Sequence, residues 1–402
     1  MRNVPKLRFK EFSNELINNY FFEFGDIKIG LTHTPTYVEN GKIFLSSKNI
    51  SKGYIDFEDV QYIAEEEFKT MPESTKPKKG DILFTRVGSN LGNPIILEEE
   101  KECAIFVSLG IFRVNDKANN YYIKHWMNTN YFWNQVEKKV AGGAKNNLNT
   151  TWLKEFKINI PTLQEQQKIA NFLSNVDKKI SITEEKLDLF KDYKKGIMQK
   201  IFKQELRFKD SNGNDYPEWE EKILGKIIIK NKEKNKENKY NLVQSISNKF
   251  GFVNQDEYFE DRRVASQDLK NYYVAKNKLF AYNPSRINVG SLAYKEDNNI
   301  SVISPLYVSF YSNKEYLIDN FLFNWLFSSP FIKQMSCSFE GSVRNNLSFE
   351  TLSNFIIELP CLEEQEKIAN FLSSIDKKID NLAAELEDLK EFKKGLLQQM
   401  FV

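Results

Sequence analysis

Histidine and cysteine are almost missing from this chain. Only His33 and His125 occur in 402 residues, and neither has a second ligand at metal-binding spacing. The three cysteines, Cys103, Cys337 and Cys361, are an odd number without metal-like spacing. They exclude a disulfide framework and read as free thiols of a reducing cytoplasm. No apolar run reaches the roughly 18 residues that a membrane span needs. The opening MRNVPKLRFKEF lacks the apolar segment of a secretion signal. There is no GxxxxGK[ST] phosphate loop and no GxGxxG after a strand. Charge of one sign is scarce too: 57 Lys and Arg face 55 Asp and Glu, a net of +2. That lends little support to nucleic-acid binding by bulk charge. Lys232, Lys234, Lys236 and Lys239 cluster, but Glu233 and Glu237 dilute them, and the stretch reads as a solvated loop.

The chain does contain a repeat. Residues 163–202 read LQEQQKIANFLSNVDKKISITEEKLDLFKDYKKGIMQKIF, and residues 362–401 read LEEQEKIANFLSSIDKKIDNLAAELEDLKEFKKGLLQQMF. They align without a gap, with 21 of 40 positions identical at an offset of 199. Leu7-Arg8-Phe9-Lys10 returns at the same offset as Leu206-Arg207-Phe208-Lys209. Lys145-Asn146-Asn147-Leu148 returns as Arg344-Asn345-Asn346-Leu347. The chain is two copies of one unit, a globule followed by a long helix. Each half is long enough to bury a full core, and 32 Phe with 18 Tyr supply large side chains for it. The expected boundaries are 1–162 for the first globule, 163–203 for its helix, 204–361 for the second globule and 362–402 for the last helix.

Both helices carry an apolar seam in steps of four and three. One runs Ile169, Leu173, Val176, Ile180, Thr183, Leu187, Phe190, Lys194, Ile197, Ile201; its copy runs from Ile368 to Met400. A period of 3.5 marks a coiled coil, and a 39-residue helix is about 58 Å long. One seam needs another, and the other copy is the economical partner. Leu206 follows Phe202, the end of the first helix, by only four positions, so an antiparallel return would bring Met400 and Phe401 beside Leu7. Lys194 and Lys393 interrupt the two seams at one repeat position, fixing register or reaching outward along their stems. The faces broaden at Ala170, Phe172, Tyr193 and Met198, and at Ala369, Phe371, Phe392 and Leu397. Further docking is expected there, against the chain's own globules, a separate subunit, or both.

Each globule mixes short strands with helices, an α+β pattern. Asp81–Arg86 and Ala104–Val107 read as strands around the turn-rich 88–93; the second globule repeats the theme at 278–282, 283–291 and 302–308. Segments 121–139 and 320–336 read as helices. The loops concentrate residue types that bond base edges and phosphates. Candidates are Ser46, Ser47, Lys48, Asn49, Thr85, Arg86, Ser89, Asn90, Lys145, Asn146 and Asn147 in the first globule. In the second they are Ser247, Asn248, Lys249, Asn283, Ser285, Arg286, Asn288, Ser291, Arg344, Asn345 and Asn346. Turn chemistry favours the same Asn and Ser, but Arg beside a turn in both halves points to use. Asn283-Pro284-Ser285-Arg286 departs from the Asn-Pro-Pro-aromatic motif of amino-methyltransferases by lacking the second proline and the stacking ring. A two-headed protein scaffold is the competing class.

Ile160-Pro161-Thr162-Leu163-Gln164-Glu165-Gln166 and Leu359-Pro360-Cys361-Leu362-Glu363-Glu364-Gln365 open the helices. With Gly80–Ser89, Tyr282–Ser291 and the doubled plan, they make the whole chain similar to the specificity subunit of a Type I restriction–modification enzyme. The resemblance implies two target recognition domains separated by an antiparallel pair of spacer helices. It implies a cytoplasmic subunit without catalysis or cofactor of its own that recognises a split, asymmetric site in double-stranded DNA. The partners it implies are modification subunits, two in number, which use S-adenosylmethionine to methylate adenine, and restriction subunits, which use ATP and Mg. The first half has Phe84-Thr85-Arg86 where the second has Tyr282-Asn283-Pro284-Ser285-Arg286, so the globules should read different bases.

Overall fold

Two long helices, Leu163–Phe202 and Leu362–Met400, carry the frame of the computed structural model, which describes residues 4–88, 91–140, 147–255, 268–339 and 346–402. Pro161 and Pro360 lie just before their starts, where a missing N–H is no loss. Every seam position in both helices is buried or half-buried. The chain divides into two compact units, Met1–Glu185 with Ala384–Val402, and Lys186–Ala383. Each unit holds one globule and a segment of each helix.

In the first unit the helix segments run antiparallel. Lys393 Nζ meets Asp177 Oδ1 at 2.6 Å, Lys390 meets Glu184 at 2.7 Å, and Lys179 meets Glu385 at 3.1 Å. Leu7 N donates to Gln399 O at 2.9 Å, and Leu396, Met400 and Phe401 enter the core with Ile169 and Leu173. In the second unit the pairing is also antiparallel, with Lys194 Nζ 2.6 and 2.7 Å from the Asp376 carboxylate. Asp177 and Asp376 occupy one repeat position, so the seam lysines close the same ionic lock twice. Burial pushes the Asp177 pKa up, but Lys393 and Lys124 outweigh it and hold the group below its ordinary value. Lys194→Asp alone should lower the unfolding free energy of the second unit by about 1 kcal/mol, and adding Asp376→Lys should restore it. A double variant no more stable than the single would mean that the lock does not set register.

The helix-start motif has a physical reason. Glu165 is buried and takes two bonds from Arg8, Nε to Oε1 and Nη2 to Oε2, both 2.7 Å. Glu364 repeats this with Arg207 at 3.3 and 2.9 Å. The next residue, Gln166, donates to Pro161 O and accepts from Asn119 N, both at 2.9 Å. Gln365 does the same with Pro360 O and Ile318 N. Each Glu-Gln pair therefore clamps the helix to the returning Leu-Arg-Phe-Lys and to the start of a globule helix. Phe9 packs edge-on against Phe172, and Phe208 against Phe371. The broad apolar faces dock on the chain's own globules at Ala170, Phe172, Met198, Ala369, Phe371 and Leu397. Tyr193 and Phe392 are exposed.

One sheet is common to both globules. Its order is Gly25–Ile29, Leu109–Val114, Ile82–Thr85, Gly92–Ile96 in the first, and Ile228–Lys230, Val308–Ser312, Phe280–Tyr282, Leu292–Tyr294 in the second. All its pairs are antiparallel. A second sheet contains one parallel pair in each globule, Lys42–Leu45 with Cys103–Ile105, and Val243–Ser247 with Ser301–Ile303. Its other strands are wired differently. Residues 104–107 therefore do not complete a hairpin with 82–85; Gly92–Ile96 does, and Cys103–Ile105 belongs to the other sheet. The helices expected at 121–139 and 320–336 are each broken in two. They form Asn120–Trp126 and Asn130–Val140, and Asp319–Trp325 and Ser329–Phe339. The break is hydroxyl chemistry: Thr129 Oγ1 donates to Trp126 O at 2.7 Å, and Ser328 Oγ to Trp325 O at 2.6 Å.

Candidate nucleic-acid interface

The candidate segments lie far apart in sequence, and the sheets gather them. In the first globule, Ser47 N donates to Ser108 Oγ at 3.1 Å, while Arg86 N and Val87 N both reach Ser108 O. Leu148 N donates to Arg86 O at 2.7 Å, and Val87 bridges Asn147. Segments 46–49, 85–87 and 147–148 thus meet around the turn at Val107–Ser108, which sequence reasoning missed. Asn93, with φ +43°, also joins the group, its amide donating to Ile50 O.

The second globule builds the same junction with other residues. Leu347 N donates to Pro284 O at 3.0 Å, and Tyr282 Oη to Leu347 O at 3.0 Å. Asn248 Nδ2 donates to Val289 O at 2.7 Å. The turn at residues 304–307 is tied in by Tyr307 Oη, which accepts from Ile246 N at 3.3 Å. Asn283 holds the loop that follows its strand: its Oδ1 accepts from Ser285 N at 3.1 Å, and its O from Arg286 N at 3.0 Å. Gly290, at φ +87°, closes the short turn Ile287–Val289 in the left-handed region. It returns Ser291 N to Arg286 O at 3.1 Å.

The two arginines that sequence treats as equivalent are placed differently. Arg86 is 8 % exposed, and its guanidinium donates to Val107 O at 3.0 Å and to Leu148 O at 3.4 Å. Burial draws its pKa down. Arg286 is exposed on its loop, and among the described residues no carboxylate lies within ion-pair distance of it. Ser46 caps the short turn Ser47–Ile50, and Ser46 and Ser47 are half-buried. Lys48 is exposed and pairs with Asp59 at 3.0 Å. Asn49 is buried and donates to Asp59 O at 2.8 Å and Asp56 O at 3.3 Å, so it fastens a loop. Thr85 is buried, and its hydroxyl has no hydrogen-bond partner among the described residues. Ser247 is buried and accepts from Lys249 N and Phe250 N; Ser291 is buried under the Gly290 turn. Asn248, Lys249, Ser285, Asn288, Asn147 and Asn346 are exposed, and Asn283 is half-buried. Ser89, Asn90, Lys145, Asn146, Arg344 and Asn345 lie outside the described residues. Among the described residues no group of three or more His, Cys, Asp or Glu could hold a metal ion, and no helix is long and apolar enough to cross a membrane.

The model of the Type I restriction modification DNA specificity domain matches this chain twice, over residues 35–191 and 216–391. The chain belongs to that family. It is 25% identical over 385 residues to the "Type I restriction enzyme MjaVIII specificity subunit" of Methanocaldococcus jannaschii, covering 90% of this chain and 88% of that protein. It is similar in fold to the S subunit of a Type I restriction-modification system from M. genitalium, with a TM-score of 0.59, 15% identity and 99% of both chains covered. A chain solved in a study of complex assembly and conformational transition of the type I R-M system matches at TM-score 0.52 and 15% identity, over 96% and 99% of the two chains. The specificity family thus accounts for the doubled plan. Its two domains fall on the two globules, and each match runs on into a long helix, ending at residue 191 or 391.

Proposed function

We propose that this specificity subunit reads two different short sequences in one double-stranded DNA, separated by a gap of unspecified bases. The observation that carries this reading is the junction repeated in both globules: segments far apart in sequence meet at one end of a common sheet, with unlike side chains. A conserved frame with divergent contact residues suits two half-sites that are not copies of each other. In this reading the helices set the gap, and the subunit has no catalysis and no cofactor of its own. Two modification subunits seated on it methylate adenine with S-adenosylmethionine. Restriction subunits joining them use ATP and Mg to translocate and cut. In this reading Lys48, Lys249 and Arg286, with the amides of Asn147, Asn248, Asn288 and Asn346, touch DNA, which their exposure supports, while the buried Asn49, Thr85, Ser247 and Ser291 shape the loops that carry them.

The test begins with sequencing methylated adenines in a genome that carries this chain, which should return a split and asymmetric motif. Arg286→Ala should then weaken recognition of one half-site by about ten- to a hundredfold, as expected for a lost bidentate base contact, and leave the other half-site required. Methylation of the unaltered motif at full rate would remove Arg286 as a reader. A continuous or palindromic motif would overturn the two-reader account.

A further inference from the structure

We infer that Leu306 is a wedge that the second globule inserts between stacked base pairs of its half-site. The inference rests on the DNA-reading role proposed above and adds a mechanism to it. Leu306 is 79% exposed, more than any other large hydrophobic residue described. A single exposed leucine is ordinary on a protein surface, but this one is held out on a braced turn. Pro305 fixes the backbone before it, Leu306 N donates to Ser304 Oγ at 3.3 Å, and Tyr307 N to Ser304 O at 3.1 Å. Tyr307 Oη, bonded to Ile246 N, anchors the turn to the strand that ends at the Asn248 loop.

The setting points to DNA as the occupant. Asn248 links that loop to Val289, itself 56% exposed, and Val289 shares its short turn with Arg286 and Asn288. Strand Phe280–Tyr282 feeds the Arg286 loop, and Tyr282 pairs with Val308 just past Leu306. Two apolar tips therefore stand at the sheet end that also presents the cations Lys249 and Arg286. Cations that hold phosphates beside an apolar side chain that parts a base step are the chemistry of proteins that kink a duplex. The corresponding position in the first globule, Val107, is half-buried and bonded through its N to Leu31 O at 2.9 Å. Only one half-site should therefore be distorted.

The complex of the full chain with modification subunits tests this on duplexes bearing its methylated motif. 2-Aminopurine replaces one base at a time, away from the methylated adenines. Fluorescence should rise on binding at one step of a single half-site. Leu306→Ala should abolish the rise and weaken binding to the motif about tenfold, with binding to motif-free DNA unchanged, and Leu306→Met should retain both. No rise at any step, or a rise that persists in Leu306→Ala, overturns the wedge. So does a Leu306→Ala chain that unstacks DNA normally but loses its modification subunits, which would make the turn a protein contact. A wild-type complex that cannot tell motif from scrambled duplex would overturn the underlying DNA reading instead.

Discussion

Replacing Arg8 with alanine should destabilise the first unit by about 3–5 kcal/mol, because it strands a carboxylate that the fold keeps from water. Glu165 is 1% exposed, and both of its oxygens are bonded to the Arg8 guanidinium. A loss of this size is a large share of the stability of a domain. Arg207→Ala should cost the second unit less, since Trp219 Nε1 still donates to Glu364 at 3.1 Å. Removing both members of the first pair, Arg8→Met with Glu165→Leu, should recover most of the loss, because no charge is then left buried. Urea unfolding that resolves the two units checks all three. Equal and small losses in both halves would show that the clamp is an exposed ion pair in solution.

The second large effect is on acid stability. His125 is fully buried between Lys124 and the first long helix, with Nε2 3.4 Å from Ser174 Oγ and Nδ1 without a partner among the described residues. Burial lowers its pKa to about 3, Lys124 and Lys393 push the same way, and Asp177 opposes them. The unfolded chain protonates this residue near its ordinary 6.5. Between those values the unfolded state carries the extra proton, so stability rises with pH across the window. The contribution is complete above about pH 6.5 and is lost as pH falls toward 3, reaching about 3–5 kcal/mol at the acid end. His125→Asn should flatten that slope in the first unit. The second half already carries Asn324 at the repeat position, bonded to Asn320 O at 2.7 Å. An unchanged slope between pH 3 and 6.5 in the variant would mean that the imidazole is hydrated in the native state.

The frame was legible because repetition and period are properties of the string. The offset of 199 found the two copies, and the four–three rhythm found the seams, the lysines that interrupt them and the end that returns to Leu7. What the string does not carry is pairing over distance. Glu165 stands 157 residues from Arg8, and Glu364 stands 157 from Arg207. The motif was therefore visible while its reason, a buried clamp, was not. The candidate interface shows the same limit more sharply. Arg86 and Arg286 both stand beside polar glycine-bearing turns, yet one is drawn inward onto two carbonyls and the other stays out. The difference is made by Val107 and Leu148, neither of which is near Arg86 in the chain. The turn at residues 304–307 carried no polar cluster, and a search for hydrogen-bonding residues passes over it.

The first unit is assembled from Met1–Glu185 and from Ala384–Val402, while the second is one continuous stretch between them. During synthesis the continuous stretch can therefore settle as soon as it clears the ribosome. The earlier-made globule must wait with an open flank along Ile169 and Leu173 until Leu396, Met400 and Phe401 arrive to cover it. A nascent chain stalled before residue 384 would expose that greasy strip to chaperones and proteases, although most of it had already been translated.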